Sequence, residues 1–161
     1  MLRALDLALL RQLRTRAHGT RLETAMKWLS RAGEHGIVWH AIALLGALLD
    51  PPRRHVYLRA MRVVAAAYAV NTAIKFVIRR PRPALEDLPP LGEAVSGLSY
   101  PSAHTAMSFG AARALEETLP PAALYGLASA MALSRPYLGM HYPSDVVAGA
   151  FLGDAVARLV P

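Results

Sequence analysis

Lys75 and Arg82 stand at the end of one apolar stretch, Ser102 and His104 at the start of the next, Ser134 and Arg135 at the end of a third, and His141 and Asp145 at the start of a fourth. The set is rich in cations and holds one carboxylate close to one imidazole. A metal centre needs several carboxylates or three imidazoles, so neither a metal nor another cofactor is expected. An oxyanion suits the set better. Lys75, Arg82 and Arg135 can neutralise a phosphoryl group, and arginine offers a planar fork matched to phosphate oxygens. A helix opening at Ser102 adds free backbone N–H groups and the positive end of its dipole. With two histidines, one can attack phosphorus while the other protonates the leaving oxygen. Asp145 follows His141 by one helical turn, where its carboxylate can hold one ring nitrogen and leave the other free.

Such residues must be brought together by the elements between them. Apolar runs and proline punctuation predict helices over about 22–32, 36–49, 57–79, 103–118, 121–134 and 144–160. Short connections make consecutive helices antiparallel, so all four polar places fall at one mouth of an up-and-down bundle. The N-terminal stretch 1–18 reads as an amphipathic helix, with Leu2, Leu5, Leu9 and Leu13 on one face and Arg3, Arg11 and Arg14 on another. That pattern suits a helix lying in a membrane interface. Arg3, Asp6 and Arg11 interrupt it too often for a secretory leader.

The 161 residues form one domain's worth of chain, 54% hydrophobic, with a mean hydropathy of +0.28. That exceeds the usual soluble range and favours a multi-pass membrane protein of short helices, with membrane lipids as neighbours. A soluble bundle is the alternative. The sequence has no cysteine, which closes disulfide and thiolate readings. Its formal charge of +7 is dispersed among apolar helices, so anionic headgroups or a phosphorylated substrate are the expected partners and nucleic acid is not.

Three motifs carry a resemblance. "KFVIRRPRP" places Lys75, Arg82 and Pro83 as K-x6-R-P; "PSAH" runs from Pro101 to His104; "SRPYLGMHYPSD" gives S-R-x5-H-x3-D from Ser134 to Asp145. In order and spacing they resemble the type 2 phosphatidic acid phosphatase superfamily, whose fold is shared with the vanadium haloperoxidases. The resemblance implies an all-α integral-membrane bundle of about five to six short helices. In it His141 is the nucleophile, Asp145 its orienting partner, and His104 the general acid and later the base. Lys75, Arg82, Ser102, Ala103 and Arg135 become the phosphate cradle. Ala103 stands where the pattern has Gly and still supplies a backbone N–H. The implied reaction is hydrolysis of a phosphomonoester on a polyprenyl-linked cell-envelope precursor through a phosphohistidine. A polyprenyl pyrophosphate or phosphatidylglycerolphosphate phosphatase is the alternative, and a non-catalytic lipid-phosphate-binding bundle a further one.

Other polar and aromatic residues are read more plainly. Arg79 and Arg80 are headgroup anchors or substrate contacts, and Tyr137 and Tyr142 interfacial rings or pocket walls. Trp28, Trp39 and Tyr100 are taken as interfacial, His18, His35, His40 and His55 as structural, and Asn71 and Asp154 as hydrogen bonders within the bundle. "GAFLG" at 149–153 has the small-xxx-small spacing of close helix contacts and leaves a homo-oligomer open. Arg53, Arg54 and Arg59 at the far end place the site on the extracytoplasmic face, against the pull of Arg79 and Arg80.

Overall fold

The computed structural model describes residues 2–16, 19, 21–92 and 96–161. His18 and the end of the predicted 1–18 helix lie outside the described residues. Seven α-helices are present among them: α1 (Leu2–Thr15), α2 (Arg21–Ala32), α3 (Ile37–Leu49), α4 (Arg54–Ile78), α5 (Ala103–Leu115), α6 (Pro121–Tyr137) and α7 (Pro143–Leu159). Short 3-10 turns at Glu34–Gly36 and Pro51–Arg53 precede α3 and α4. α2 and α3 are bent by 57° at the break between them. That bend turns Glu34 and His35 toward the interior space described below.

α5 is the axis of the bundle, packed against α3, α4, α6 and α7. Its sequence explains why. Ala106, Gly110, Ala111, Ala112 and Ala114 are all buried, and only such small side chains let several helices surround one. The closest approach is to α7. A Cβ built at Gly153 would lie 2.2 Å from the Ala106 carbonyl oxygen, and one at Gly149 2.6 Å from that of Ser102. The small-xxx-small pair is therefore spent inside the chain, which removes the sequence ground for a homo-oligomer.

Trp39 corrects another expectation. It is 1% exposed in the core and its indole N–H donates to Ser108 Oγ at 2.9 Å. A polar partner on α5 drew it inward, whereas Trp28 is 65% exposed. Asn71 meets its expectation: it is buried and donates to the Pro101 carbonyl. Asp154 is an ion-pair partner of Arg158 and Arg113 instead. Arg59 does not lie free at the far end; it caps α7 by donating to the Val160 and Ala157 carbonyls.

The outer surface is apolar where a water-soluble bundle would be charged. Leu45, Leu48 and Leu49 of α3, Phe76 and Val77 of α4, and Phe151 of α7 are exposed. Among the described residues the α4 helix with its leading turn, Pro51–Ile78, is long and apolar enough to cross a membrane. α2 and α3 meet the same test only when taken together. α6 and α7 have 17 residues each, about 25 Å of rise against a hydrocarbon core of about 30 Å.

The α5–α7 contact gives a test. Gly153→Ala should destabilise the fold by about 1–3 kcal/mol, because the backbones cannot separate without losing the rest of the interface. Gly126→Ala, at an exposed point of α6 with nothing within 4 Å of the added Cβ, should be neutral or stabilising by up to about 1 kcal/mol. Thermal unfolding in a mild detergent reads both, and equal melting temperatures would refute the contact's importance.

Candidate active site

The end of α4 sets the first side chain. Lys75 is nearly buried and donates to the carbonyls of Leu98 and Ser99 at 3.2 and 3.1 Å. The helix stops at Arg79, which takes the left-handed conformation (φ 52°) and donates its N–H to Lys75 O. The chain then folds back on itself. Pro81 and Leu98 form a single antiparallel bridge, with Ser99 N–H donating to Arg80 O and Arg82 N–H to Gly97 O. This short ladder holds Arg82 over the bundle mouth, where its guanidinium donates to Ser96 O at 2.7 Å and Met140 O at 2.6 Å.

Ser102 caps α5, its Oγ accepting from the Thr105 hydroxyl at 3.0 Å, and its own N–H donates to Asp145 O. That bond ties the start of α5 to the start of α7. On the opposite side α6 runs past its expected end at 134 to Tyr137, carrying Pro136 inside it. Arg135 is therefore still helical, and the reversal comes at Gly139 (φ 76°) with Met140 N–H returning to Arg135 O. A glycine serves there because the left-handed region is open to it. Pro143 opens α7 at its first turn, as expected for a residue lacking an N–H.

His141 is 2% exposed. Its Nε2 lies 3.1 Å from Arg82 Nη1 and its Nδ1 3.5 Å from Asp145 Oδ2. The Nδ1 contact is too long for a formed hydrogen bond, and Nδ1 has no partner in the protein. Burial, with Arg135, Arg82 and Lys75 around it, holds the His141 imidazole well below its ordinary pKa, so it is neutral. Asp145 is completely buried. Its Oδ2 accepts the Tyr142 N–H at 2.9 Å and its Oδ1 accepts from Arg80 at 2.7 Å. His104 Nε2 lies 2.9 Å from Ser30 O, and Arg135 donates to the Ser30 hydroxyl. Arg135 Nε is buried without a partner.

These side chains bound a cavity of about 560 Å³. Lys75, Arg82, Ala103, His104, Arg135 and His141 line it, together with Lys27, Ser30, Arg31, Glu34 and His35 of α2 and the following turn. Ser102 and Asp145 lie behind this surface. Arg79, Arg80, Tyr137 and Tyr142 do not line it. Arg79 is exposed and donates back to Phe76 O, and Tyr137 packs with Leu138 and Met140. Arg80 sits 4.0 Å over the Tyr142 ring and joins Asp145 to Asp6 of α1 at 2.7 and 2.8 Å.

Asp6 was not singled out by sequence reasoning as a site residue. It is 2% exposed and also accepts from the N–H and hydroxyl of Ser144. α1 thus docks through Asp6, Leu10 and Arg14, all buried, while Leu5 and Leu9 remain exposed. Arg14, expected on the solvated face, donates to the Pro89 and Tyr137 carbonyls. The signal available in the sequence was an acid at i with a base at i+8 on one helical face, a spacing that surface helices also show.

Residues 56–161 match the PAP2 superfamily. The decaprenylphosphoryl-5-phosphoribose phosphatase of Mycolicibacterium smegmatis is 41% identical over 126 residues, 78% of this chain and 70% of that protein. The protein of the same name from Mycobacterium tuberculosis strain H37Rv is 42% identical over 136 residues, 82% of this chain and 75% of its own. Among solved structures, Aquifex aeolicus LpxE aligns with a TM-score of 0.83 at 25% identity, covering 97% of this chain and 94% of that one. The PAP2-type phosphatidylglycerolphosphate phosphatase of Bacillus subtilis aligns at 0.52 and 24% identity, over 98% and 92% of the two chains.

Burial pushes the Asp6 carboxyl up, but hydrogen bonds from Arg80 and Ser144 outweigh it and hold the group below its ordinary value of 3.8. A depressed carboxylate stabilises the fold at pH values above its unfolded pKa and loses that contribution as pH falls through the folded one. Asp6→Asn should therefore be less stable than the wild type near neutral pH, by about 1–3 kcal/mol for charged hydrogen bonds, and the gap should close in acid. A gap unchanged below the carboxylate range, in unfolding curves taken across pH, would remove Asp6 from that role.

Proposed function

The chain belongs to the PAP2 superfamily and is a phosphatase of lipid phosphates, and from that premise we propose that it removes the 5-phosphate of a polyprenylphosphoryl-5-phosphoribose through a phosphohistidine on His141. One observation carries the reading: all three motifs converge on a single cavity in which a neutral His141 stands among Lys75, Arg82 and Arg135. The relatives named for decaprenylphosphoryl-5-phosphoribose supply the substrate class.

The chemistry follows from the positions. Lys75, Arg82, Arg135 and the N–H groups at the start of α5 take the phosphate oxygens, and the partnerless Arg135 Nε is a donor ready for one. Phosphate binding draws Arg82 off His141 Nε2, whose lone pair the guanidinium covers at 3.1 Å. Nε2 then attacks phosphorus while Asp145 receives the Nδ1 proton's hydrogen bond, a contact that needs to shorten from 3.5 Å. The P–O bond to the ribose breaks, and His104, protonated on both nitrogens once the phosphate dianion is bound and held at Nε2 by Ser30 O, passes its Nδ1 proton to the leaving oxygen. His104 next takes a proton from water, which attacks the phosphohistidine and releases inorganic phosphate. Asp145 cannot drift, because Tyr142 N–H and Arg80 hold its two oxygens.

The setting we propose is a multi-pass protein with its site at the extracytoplasmic face. Support for the membrane comes from the exposed leucines of α3 and the exposed Phe76, Val77 and Phe151, and for the face from Arg53 and Arg54 at the far end. Leu5 and Leu9 of α1 then lie toward the membrane interface, with Asp6 toward the bundle.

The experiment is a phosphate-release screen of purified protein in EDTA against a prenylphosphoryl-5-phosphoribose, a prenyl pyrophosphate and phosphatidylglycerolphosphate. The phosphoribose should turn over fastest, unaffected by chelation, because no cluster of three His, Asp or Glu residues able to hold a metal occurs among the described residues. Vanadate should inhibit by mimicking five-coordinate phosphorus. Activity lost in EDTA and restored by Mg²⁺, or a preference for either other lipid, would overturn the reading.

His104→Asn separates acid from binder. Its turnover on the phosphoribose ester should fall by about 10²–10⁴-fold. On p-nitrophenyl phosphate, whose leaving group needs no proton, the phosphorylation step should survive and phosphohistidine should accumulate, detected by acid-labile, base-stable phosphate on the protein. Equal losses on both substrates with no trapped intermediate would assign His104 to binding.

A further inference from the structure

The cavity is larger than the phosphate chemistry requires, and part of its wall is built by residues outside the family-matched segment 56–161. Lys27 and Arg31 are one turn apart on α2, so they present two cations on one face. Between them lies Ser30, whose hydroxyl accepts from Arg135 and whose carbonyl is 2.9 Å from His104. These two bonds hold the α2 turn that carries Lys27 and Arg31 against His104 and Arg135. Lys27 shares its ammonium with Glu23 at 2.7 Å. Arg31 has no acidic partner among the described residues, although it lines the cavity. Glu34, half-buried beside them, offers a carboxylate that can accept from sugar hydroxyls.

We infer that Lys27 and Arg31 form a second anion subsite, which takes the phosphodiester that joins the sugar to the prenyl chain and is retained in the product. This rests on the substrate reading above. That substrate carries two phosphate groups on one furanose ring, and the one cavity is lined both by Lys75, Arg82 and Arg135 and by Lys27 and Arg31 of α2, with Glu34 and His35 beside them. Placing the diester on α2 leaves the 5-phosphate against His141. The reverse placement would offer the nucleophile a diester whose leaving groups His104 would have to choose between. The subsite thus selects both the substrate and the phosphate that is cleaved.

The test uses full-length protein in a nonionic detergent and two esters with the same leaving group. One is a short prenylphosphoryl-5-phosphoribose; the other is a prenyl ribofuranoside 5-phosphate, in which an ether replaces the bridging phosphate. Wild type should favour the first in kcat/KM. In Arg31→Gln, and further in Lys27→Gln/Arg31→Gln, that preference should fall by about ten- to a hundredfold through KM, the size expected for charge-assisted hydrogen bonds. Variants that keep the wild-type preference overturn the subsite while leaving the substrate reading intact. A wild type with no preference for the two-phosphate ester overturns the substrate reading itself. Were the pair a membrane-lipid anchor, the variants would lose activity only when anionic lipid vesicles replace detergent, and on both esters equally, which also overturns the proposal.

Discussion

Lys75, Arg82 and Arg135 gather around a neutral His141 at one cavity, and much of the surrounding structure answers the cost of placing them there. Unpaired buried charge is strongly unfavourable. The protein meets it with backbone carbonyls: Leu98 and Ser99 for Lys75, Ser96 and Met140 for Arg82. Those carbonyls come from the two irregular segments that flank the site, which is why the long connection after α4 folds back into a ladder instead of looping freely. Carbonyl dipoles satisfy donors without cancelling charge. The pocket therefore keeps a positive field, which adds to burial in depressing His141 and attracts a phosphoryl group.

The carboxylate beside His141 is held back from this field. Asp145 spends both oxygens on Tyr142 N–H and Arg80, and Asp6 balances the other side of Arg80. The result is a chain of alternating sign, Asp6 to Arg80 to Asp145, that ends beside a neutral ring. Removing Arg80 takes the shared cation from two buried carboxylates at once.

How much of this was legible in the sequence follows from the range of the interactions. The motifs sit at helix ends, so helix boundaries and antiparallel connections alone predicted that Lys75, Arg82, His104, Arg135, His141 and Asp145 would meet. Pro136 misled, because its missing N–H costs one bond that the last turn of α6 tolerates. Trp39 misled as well, since its partner Ser108 is 69 residues away. Ser30, Lys27 and Arg31 carry no motif; their place depends on the bend before α3, which Gly33 and Gly36 permit without revealing its direction. Gly149 and Gly153 showed that a helix was to be approached closely, but periodicity cannot say whether the neighbour is in the same chain.

Asp6 and Ser144 are 138 positions apart, which has a consequence for biogenesis. α1, which braces Asp145 through Arg80, leaves the ribosome well before its receptor on α7. Long-range contacts of this kind form late, after the loop between them has closed. A nascent chain that lacks α7 carries Lys75, Arg82 and Arg135 before Asp145 and its brace can meet.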